Sequence, residues 1–257
     1  MWKSFINFKV QHNQLIKIGF KNSKSPLIKQ FQTLIFIYQT MKCAVVYLKH
    51  LFLTRKAVRI MPAKKTFQDD QVIEKIMHLF WQQGYYHTSM DEIVITSGVK
   101  KQSLYNAIGD KHTLYLRALQ RYHQQTLMRC TQAMQRLEQD GAAPLAILSM
   151  LFSHDLTTSE QTAGDLMANA VAEFGTTDTD VQQAVSWFYD DYLTLMAAVI
   201  LKGQANEQII NNQSSMTLAQ ALLEARIGLQ TRLRQGSQPD IQAQQQAWMA
   251  FLARRWT

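Results

Sequence analysis

The stretch SMDEIVITSGVKKQSLYNAIGDK, residues 89 to 111, constrains this chain more than any other. Ser89 and Glu92 have the S-x-x-E spacing of a capping box, so a helix is expected to begin there. Ile93 and Val94 give that helix an inward side, and Gly98 permits a tight turn after it. The next segment, Lys100 to Ala107, holds two lysines, a glutamine, a serine, a tyrosine and an asparagine. Leu104 is its only large aliphatic residue. A helix with so little apolar surface is not an ordinary core helix. Gly109 then breaks the chain, and Asp110 is positioned to cap a long helix from Lys111. Two short helices joined by a glycine turn, the second polar on its outer side, describe a helix-turn-helix. In that arrangement the second helix enters the DNA major groove, with residues near its N-terminus facing base edges. Polar helical segments more commonly just face water. That reading leaves the capping box, the glycine turn and the Gly-Asp break unexplained.

Upstream, Val72, Ile73, Ile76, Met77, Leu79 and Phe80 recur at three- and four-residue intervals, the stripe of an amphipathic helix that Gly84 ends. Downstream, a fourth helix over Lys111 to Gln139 is followed by five more helical segments. They are punctuated by Gly141, Pro144, Gly175, Gly236 and Pro239, and Asp178 or Asp180 sits at the positive end of the longest. The expected class is all-α. Leu218, Leu222, Ala225, Leu229 and Leu233, with Ala247, Ala250 and Phe251, suit either a seam between subunits or an intrachain core.

The formal charge of +8 over 257 residues suggests nucleic acid until its distribution is read. Residues 1 to 60 carry eleven Lys or Arg and no acidic group, leaving sixteen basic against nineteen acidic residues beyond them. Within the remainder only residues 61 to 122 are net basic, eight against six, and that part surrounds the polar helix. Composition shifts at Met61, from Lys, Ile, Phe and Asn toward Gln, Ala, Met and Arg. We read residues 1 to 60 as a basic extension, poorly ordered or a mis-assigned start, with Met61 the natural start. The alternative is a membrane-associated helical protein anchored by residues 1 to 60. The run Leu34 to Leu53 has the length of a membrane span, but Lys42 and Lys49 interrupt it, and no membrane partner is expected.

Cys43 and Cys130 are too few for a disulfide framework and suit a reducing cytosol as small apolar fillers. The seven histidines show no paired metal-ligand spacing, so neither a metal nor a cofactor is expected. His154 and Asp155 have neither a nucleophile nor an oxyanion donor beside them in the sequence, and no enzyme is expected. Met150, His154, Met167, Phe174, Trp187, Tyr189 and Tyr192 are candidates for a small-molecule pocket, although Met and aromatic residues at helical spacing are commonly plain core.

Residues 68 to 122 resemble the N-terminal DNA-binding domain of the TetR family of bacterial regulators. The resemblance rests on F-x-x-x-G-Y, T-S-M-D-x-I, G-V-x-x-x-S-L-Y and G-D-K in order. A weaker likeness, AGDLMANAVAEF, matches the family's G-C-L-x-x-N-A-x-x-E pattern with Asp165 where cysteine is frequent. The resemblance implies a helix-turn-helix domain over residues 61 to 122 and a helical ligand-binding and dimerisation domain over 123 to 257. It also implies a cytoplasmic homodimer on a palindromic double-stranded DNA operator, mostly repressing, and released by a small-molecule effector. By the same resemblance Thr88, Ser89, Tyr105 and Lys111 match phosphate-contacting positions. Lys100, Lys101, Gln102, Ser103 and Asn106 are expected to reach bases or adjacent phosphates. That division suits the chemistry. Lysine donates to guanine, Gln and Asn read adenine, and a tyrosine hydroxyl positions without reading. Gln102 stands where a small residue is common, and Ala107-Ile108 replaces an aromatic-rich pair.

Overall fold

The computed structural model describes residues 69–154, 163–237 and 239–253, all within the unit Pro62–Thr257. The extension 1 to 60, its alternative role as an anchor, the proposed start at Met61, and Asp155 lie outside the described residues. Nine helices make up the described part: α1 (Asp69–Gln83), α2 (Met90–Ser97), α3 (Lys101–Ala107), α4 (Lys111–Gln139), α5 (Pro144–Ser153), α6 (Leu166–Phe174), α7 (Thr179–Ala205), α8 (Ser215–Arg234) and α9 (Ile241–Leu252). Among the described residues there is no strand, only an isolated antiparallel bridge between Ile209 and Ala253.

The helix boundaries have local causes. In α1 the expected stripe is buried, and the chain leaves it at Gly84, whose φ of 85° is open to glycine at little cost. At α2 the capping box is complete. The Glu92 amide donates to Ser89 Oγ at 3.2 Å, and the Ser89 amide donates to Glu92 Oε2 at 2.7 Å. Gly98 closes α2 in the left-handed conformation, its amide donating to Val94 O. Asp110 caps α4, accepting from the Thr113 amide at 2.8 Å and from its hydroxyl. Asp165, Asp178, Ser214 and Asp240 cap α6, α7, α8 and α9 in the same way.

Helix α4 runs through both parts of the described residues. Its 29 residues span roughly 43 Å at the usual rise. The first half buries Leu114, Tyr115, Ala118, Leu119 and Tyr122 and packs on α1, whereas the second half, with Thr126 and Cys130, belongs to the C-terminal body. The expected division at 122/123 therefore falls inside an unbroken helix, and the two parts share it.

In the C-terminal body α7 packs against α4, α5, α6 and α8, and α9 lies on α5. By length and composition α7 is apolar enough to cross a bilayer, but Val181, Val185, Phe188, Tyr192, Met196 and Ile200 are buried in the protein core. Leu218, Leu222, Leu229 and Leu233 are likewise buried within one chain, so this stripe serves the intrachain core rather than a free seam. Phe251 remains 60% exposed, and Ala247 and Ala250 are exposed beside it.

Two of the capping carboxylates tie stability to pH. The amide and hydroxyl of Thr113 hold the Asp110 carboxyl below its usual range, and the Val181 amide with the His112 side chain does the same for Asp178. A lowered folded-state value means stabilisation that is complete above the unfolded value and lost as pH falls through the folded one. The melting temperature is expected to decline below about pH 4. In the Asp110→Asn, Asp178→Asn variant, which keeps an acceptor at each cap, calorimetry from pH 6 to 3 should show a shallower decline.

Candidate nucleic-acid interface and its attachment to the C-terminal body

Helix α3 is fixed from below by one side chain. Leu104 is fully buried, with Ile93 of α2 also buried and Ile108 at the helix end, and removing such a leucine from water contributes about 2 kcal/mol. The opposite face of α3 is open. Lys101, Gln102, Tyr105 and Asn106 are exposed, as is Lys100 at the N-cap, and Ser103 is half-buried. Lys100 makes no side-chain cap, so its ammonium is not used to start the helix. Lys101 Nζ lies 3.1 Å from Asp91 Oδ1 on α2, and Gln102 Nε2 donates to Asn106 Oδ1 at 3.0 Å. Both contacts are at the surface.

The positions expected at phosphate are arranged less uniformly. Ser89 is exposed beside the start of α2, with its hydroxyl in the capping box. Tyr105 is 43% exposed. Lys111 is half-buried, its Nζ 4.2 Å from the Tyr85 ring centroid. Burial pulls its pKa below the usual lysine range, against the opposing pull of Glu173 and Glu92. Thr88 departs from the expectation. It is buried, and its hydroxyl donates to Gly84 O at 2.6 Å, so its side chain braces the turn between α1 and α2 instead of facing outward.

That turn is also gripped from the C-terminal body, through a residue the sequence reading passed over. Glu173, near the end of α6, accepts from the backbone amides of Tyr85 at 2.7 Å and Tyr86 at 3.2 Å. Gly84 is favoured here by its positive φ, and a Cβ would also displace the tip of the Glu173 side chain that holds the two amides. Next to it Phe174 packs against Tyr85, Tyr86 and Tyr115, with ring centroids 4.9 to 5.5 Å away. Further contacts join the same parts. His112 Nε2 meets Asp178 Oδ2 at 2.7 Å, Trp81 Nε1 donates to Gly164 O at 2.9 Å, and Arg234 reaches Trp81 O at 3.3 Å. The glutamate of the N-A-x-x-E pattern was the available signal for this grip. Only the folded chain shows that its partners are two amides some ninety residues earlier.

At its other end α6 begins in a buried polar group. Asp165 Oδ1 accepts from the Met167 and Ala168 amides, and Tyr122 donates to Oδ2 at 3.3 Å. Burial pushes the carboxyl up, opposed by those amides and by buried Arg226, which itself donates to Phe152 O at 2.8 Å. One face of α6 lines a cleft of about 120 Å³ between Asp165 and Glu173, with Asn169, Thr231 and Arg234 on its walls.

The seven pocket candidates do not line this cleft. Met167 and Tyr192 are core, Tyr192 donating to Leu151 O. Phe174 belongs to the aromatic contact with the turn, and Trp187 is 43% exposed. Met150, His154 and Tyr189 are half-buried. The Tyr189 hydroxyl is shielded from solvent without a hydrogen-bond partner, and burial raises its pKa.

A capped short helix, a left-handed glycine turn and a second helix with an open polar face make this a helix-turn-helix protein. Residues 72–118 match the family profile described as bacterial regulatory proteins, tetR family. The chain is 40% identical over 58 residues to the HTH-type transcriptional repressor ComR of Escherichia coli K12, 23% of this chain and 28% of that protein. Over 87 residues it is 31% identical to the HTH-type transcriptional regulator YezE of Bacillus subtilis 168, 34% of this chain and 43% of that one. The matches thus span less than half of each curated relative. The fold extends further. The TetR structure from Rhodobacter sphaeroides superposes with a TM-score of 0.64 at 19% identity, covering 72% of this chain and 98% of that one. A TetR-family regulator from Cytophaga hutchinsonii gives 0.61 at 14% identity, covering 76% and 100%. CifR, solved with a 26bp double-strand operator DNA, gives 0.59 at 20%, covering 74% and 99%. Residues 72–118 thus match the tetR-family DNA-binding domain, and the fold of the described residues is that of the TetR-family structures.

Two measurements check the grip on the turn. In Glu173→Gln, which weakens two charge-assisted hydrogen bonds, amide exchange at Tyr85 and Tyr86 should accelerate by about tenfold relative to the α4 amides. Gly84→Ala meets a disfavoured positive φ and displaces the tip of Glu173, and should lower stability in denaturant melts by more than about 1 kcal/mol.

Proposed function

We propose that this chain is a cytoplasmic, homodimeric transcriptional repressor. It binds a palindromic double-stranded DNA operator through α3 and releases it when a small-molecule effector occupies the C-terminal body. It acts as a regulator, not an enzyme. The observation that carries this reading is the open polar face of α3, anchored below by Leu104 and framed by the capping box and Gly98. Lys100, Lys101, Gln102, Ser103 and Asn106 supply donors and acceptors for base edges and nearby phosphates. Ser89, Tyr105 and Lys111 supply phosphate contacts that set the register. The repressor ComR and the operator-bound CifR support DNA as the partner.

The dimer reading draws on exposed apolar side chains along the last two helices, Met216 on α8 and Phe251 with Ala247 and Ala250 on α9. A two-fold pair would set two copies of α3 in successive major grooves about 34–36 Å apart. Effector release then requires the ligand to prefer the arrangement that fits DNA poorly, since only differential affinity shifts the balance. Helix α6 is suited to transmit that preference, because one end lies among buried Asp165, Arg226 and Tyr122 and the other grips the turn before α2.

Capture of genomic fragments by the purified protein at fixed salt tests the reading, and enrichment of inverted-repeat sites is the expected result. No enrichment even in dilute buffer without ligand overturns it. On a captured site, Lys111→Ala should weaken binding across sequences and reduce the slope of log affinity against log salt by about 1. Tyr105→Phe should weaken binding with the slope unchanged, as titration at several salt concentrations will read.

A further inference from the structure

The cleft between α6 and α8 holds two opposite charges that do not meet. From the N-cap of α6 onward Asp165, Asn169 and Glu173 recur every four positions and share one face, and Thr231 and Arg234 of α8 stand on the other wall. Asn169 is buried, Glu173 half-buried and Arg234 exposed, so the cleft runs from the interior to the surface. Among the described residues, neither Glu173 nor Arg234 is in an ion pair. Their hydrogen-bonding capacity is only partly engaged. Glu173 Oε2 takes both turn amides, leaving Oε1, whereas Arg234 Nη1 holds the carbonyls of Trp81 and Ala163, leaving Nε and Nη2. Asn169 donates through Nδ2 to Ala163 O at 2.9 Å, which leaves Oδ1. Asp165 differs, because its oxygens already accept from two amides and Tyr122, and burial pushes it toward the neutral form. Ala168 and Ala172 add a short apolar strip to the lining.

We infer that this cleft binds a small zwitterion, an amino acid with a short aliphatic chain, and that this ligand is the effector. The inference rests on the effector-release reading and deepens it by naming the site and the class of ligand. One charge of each sign lines the cleft, so a simple anion meets the Glu173 carboxylate and a simple cation meets the Arg234 guanidinium. A ligand carrying both charges satisfies both walls. Its carboxylate suits the Nε and Nη2 edge of Arg234, which takes a carboxylate through two parallel hydrogen bonds. Its ammonium, with three donors, suits Glu173 Oε1 and Asn169 Oδ1. A volume of about 120 Å³ limits the chain between the charges to a few carbons. The consequence for DNA follows from what the two side chains already hold. Glu173 grips the Tyr85 and Tyr86 amides and Arg234 the carbonyl of Trp81, so a ligand that draws on either loosens the attachment of the helix-turn-helix.

Titration of the purified full chain with glycine, L-alanine, β-alanine and 4-aminobutyrate, followed by amide NMR, tests the site without DNA. At least one should bind with a Kd of about 1 mM or tighter and shift the amides of Asn169, Ala172 and Glu173. Propionate and propylamine, each carrying one of the two charges, should bind at least about tenfold more weakly. The best amino acid should lose at least about tenfold in Arg234→Gln and in Glu173→Gln, and the wild-type panel decides even where a variant unfolds. The site is overturned if no amino acid shifts these amides at about 10 mM, if propionate or propylamine binds as well, if the shifts map elsewhere, or if both folded variants bind undiminished. With the best ligand present, operator affinity at fixed salt should fall by about tenfold. Ligand binding without that fall overturns the effector role. A ligand-free protein that captures no DNA overturns operator binding instead, and an intact ligand titration tells that failure from failure of the site.

Discussion

A seven-residue polar helix has no stability of its own, because helix nucleation costs more than a helix this short returns. The burial of Leu104 is therefore the contact on which the outer face depends. With Ile93 and Ile108 it draws α3 against the body of the N-terminal domain. Burying a single aliphatic anchor leaves most of the circumference of α3 to solvent. The capping box and the left-handed Gly98 complete the arrangement by fixing where α2 starts and stops. They act through the backbone and occupy no outward-facing side chain of α3.

The attachment of this domain to the C-terminal body follows a different principle. It uses many directional contacts: two amides on Glu173, a stack of aromatic rings around Phe174, the His112–Asp178 contact, and the carbonyls of Trp81 and Gly164. A surface of this kind has a defined geometry that can be exchanged for another without unfolding either side, because backbone amides released from a carboxylate can be solvated. Packed cores, by contrast, resist continuous deformation. Helix α6 joins the two regimes. Its N-terminus is held by a buried carboxylate among Tyr122 and Arg226, and its C-terminus ends at the turn. Displacement of one end of a nine-residue helix must be felt at the other.

Much of the fold was legible because its signals are local. The stripe ending in Gly84, the Ser89–Glu92 pair and the Asp110 cap each depend on residues within four positions of one another, and each appears as expected. The exposed placement of Lys101, Gln102, Tyr105 and Asn106 follows from the same periodicity. The placements that the sequence did not anticipate share a cause as well. Thr88 reads as an outward hydroxyl until the turn folds its side chain back onto Gly84 O. Met167, Phe174, Trp187 and Tyr192 read as one pocket because they are large and apolar. The folded chain sends them to a core, an interdomain contact and a surface.

By itself the sequence determined roughly where the helices lie, how α2 and α4 begin, where Gly84 and Gly98 end α1 and α2, and which short segment was left polar, since capping, glycine conformation and periodicity act within one or two turns. The tertiary structure alone decided which amides Glu173 would hold, that the α8 stripe would be buried within its own chain, and that Asp165 would sit in the interior near Arg226. Those outcomes join residues tens of positions apart. The free energy of each depends on which surfaces meet, which no local pattern encodes.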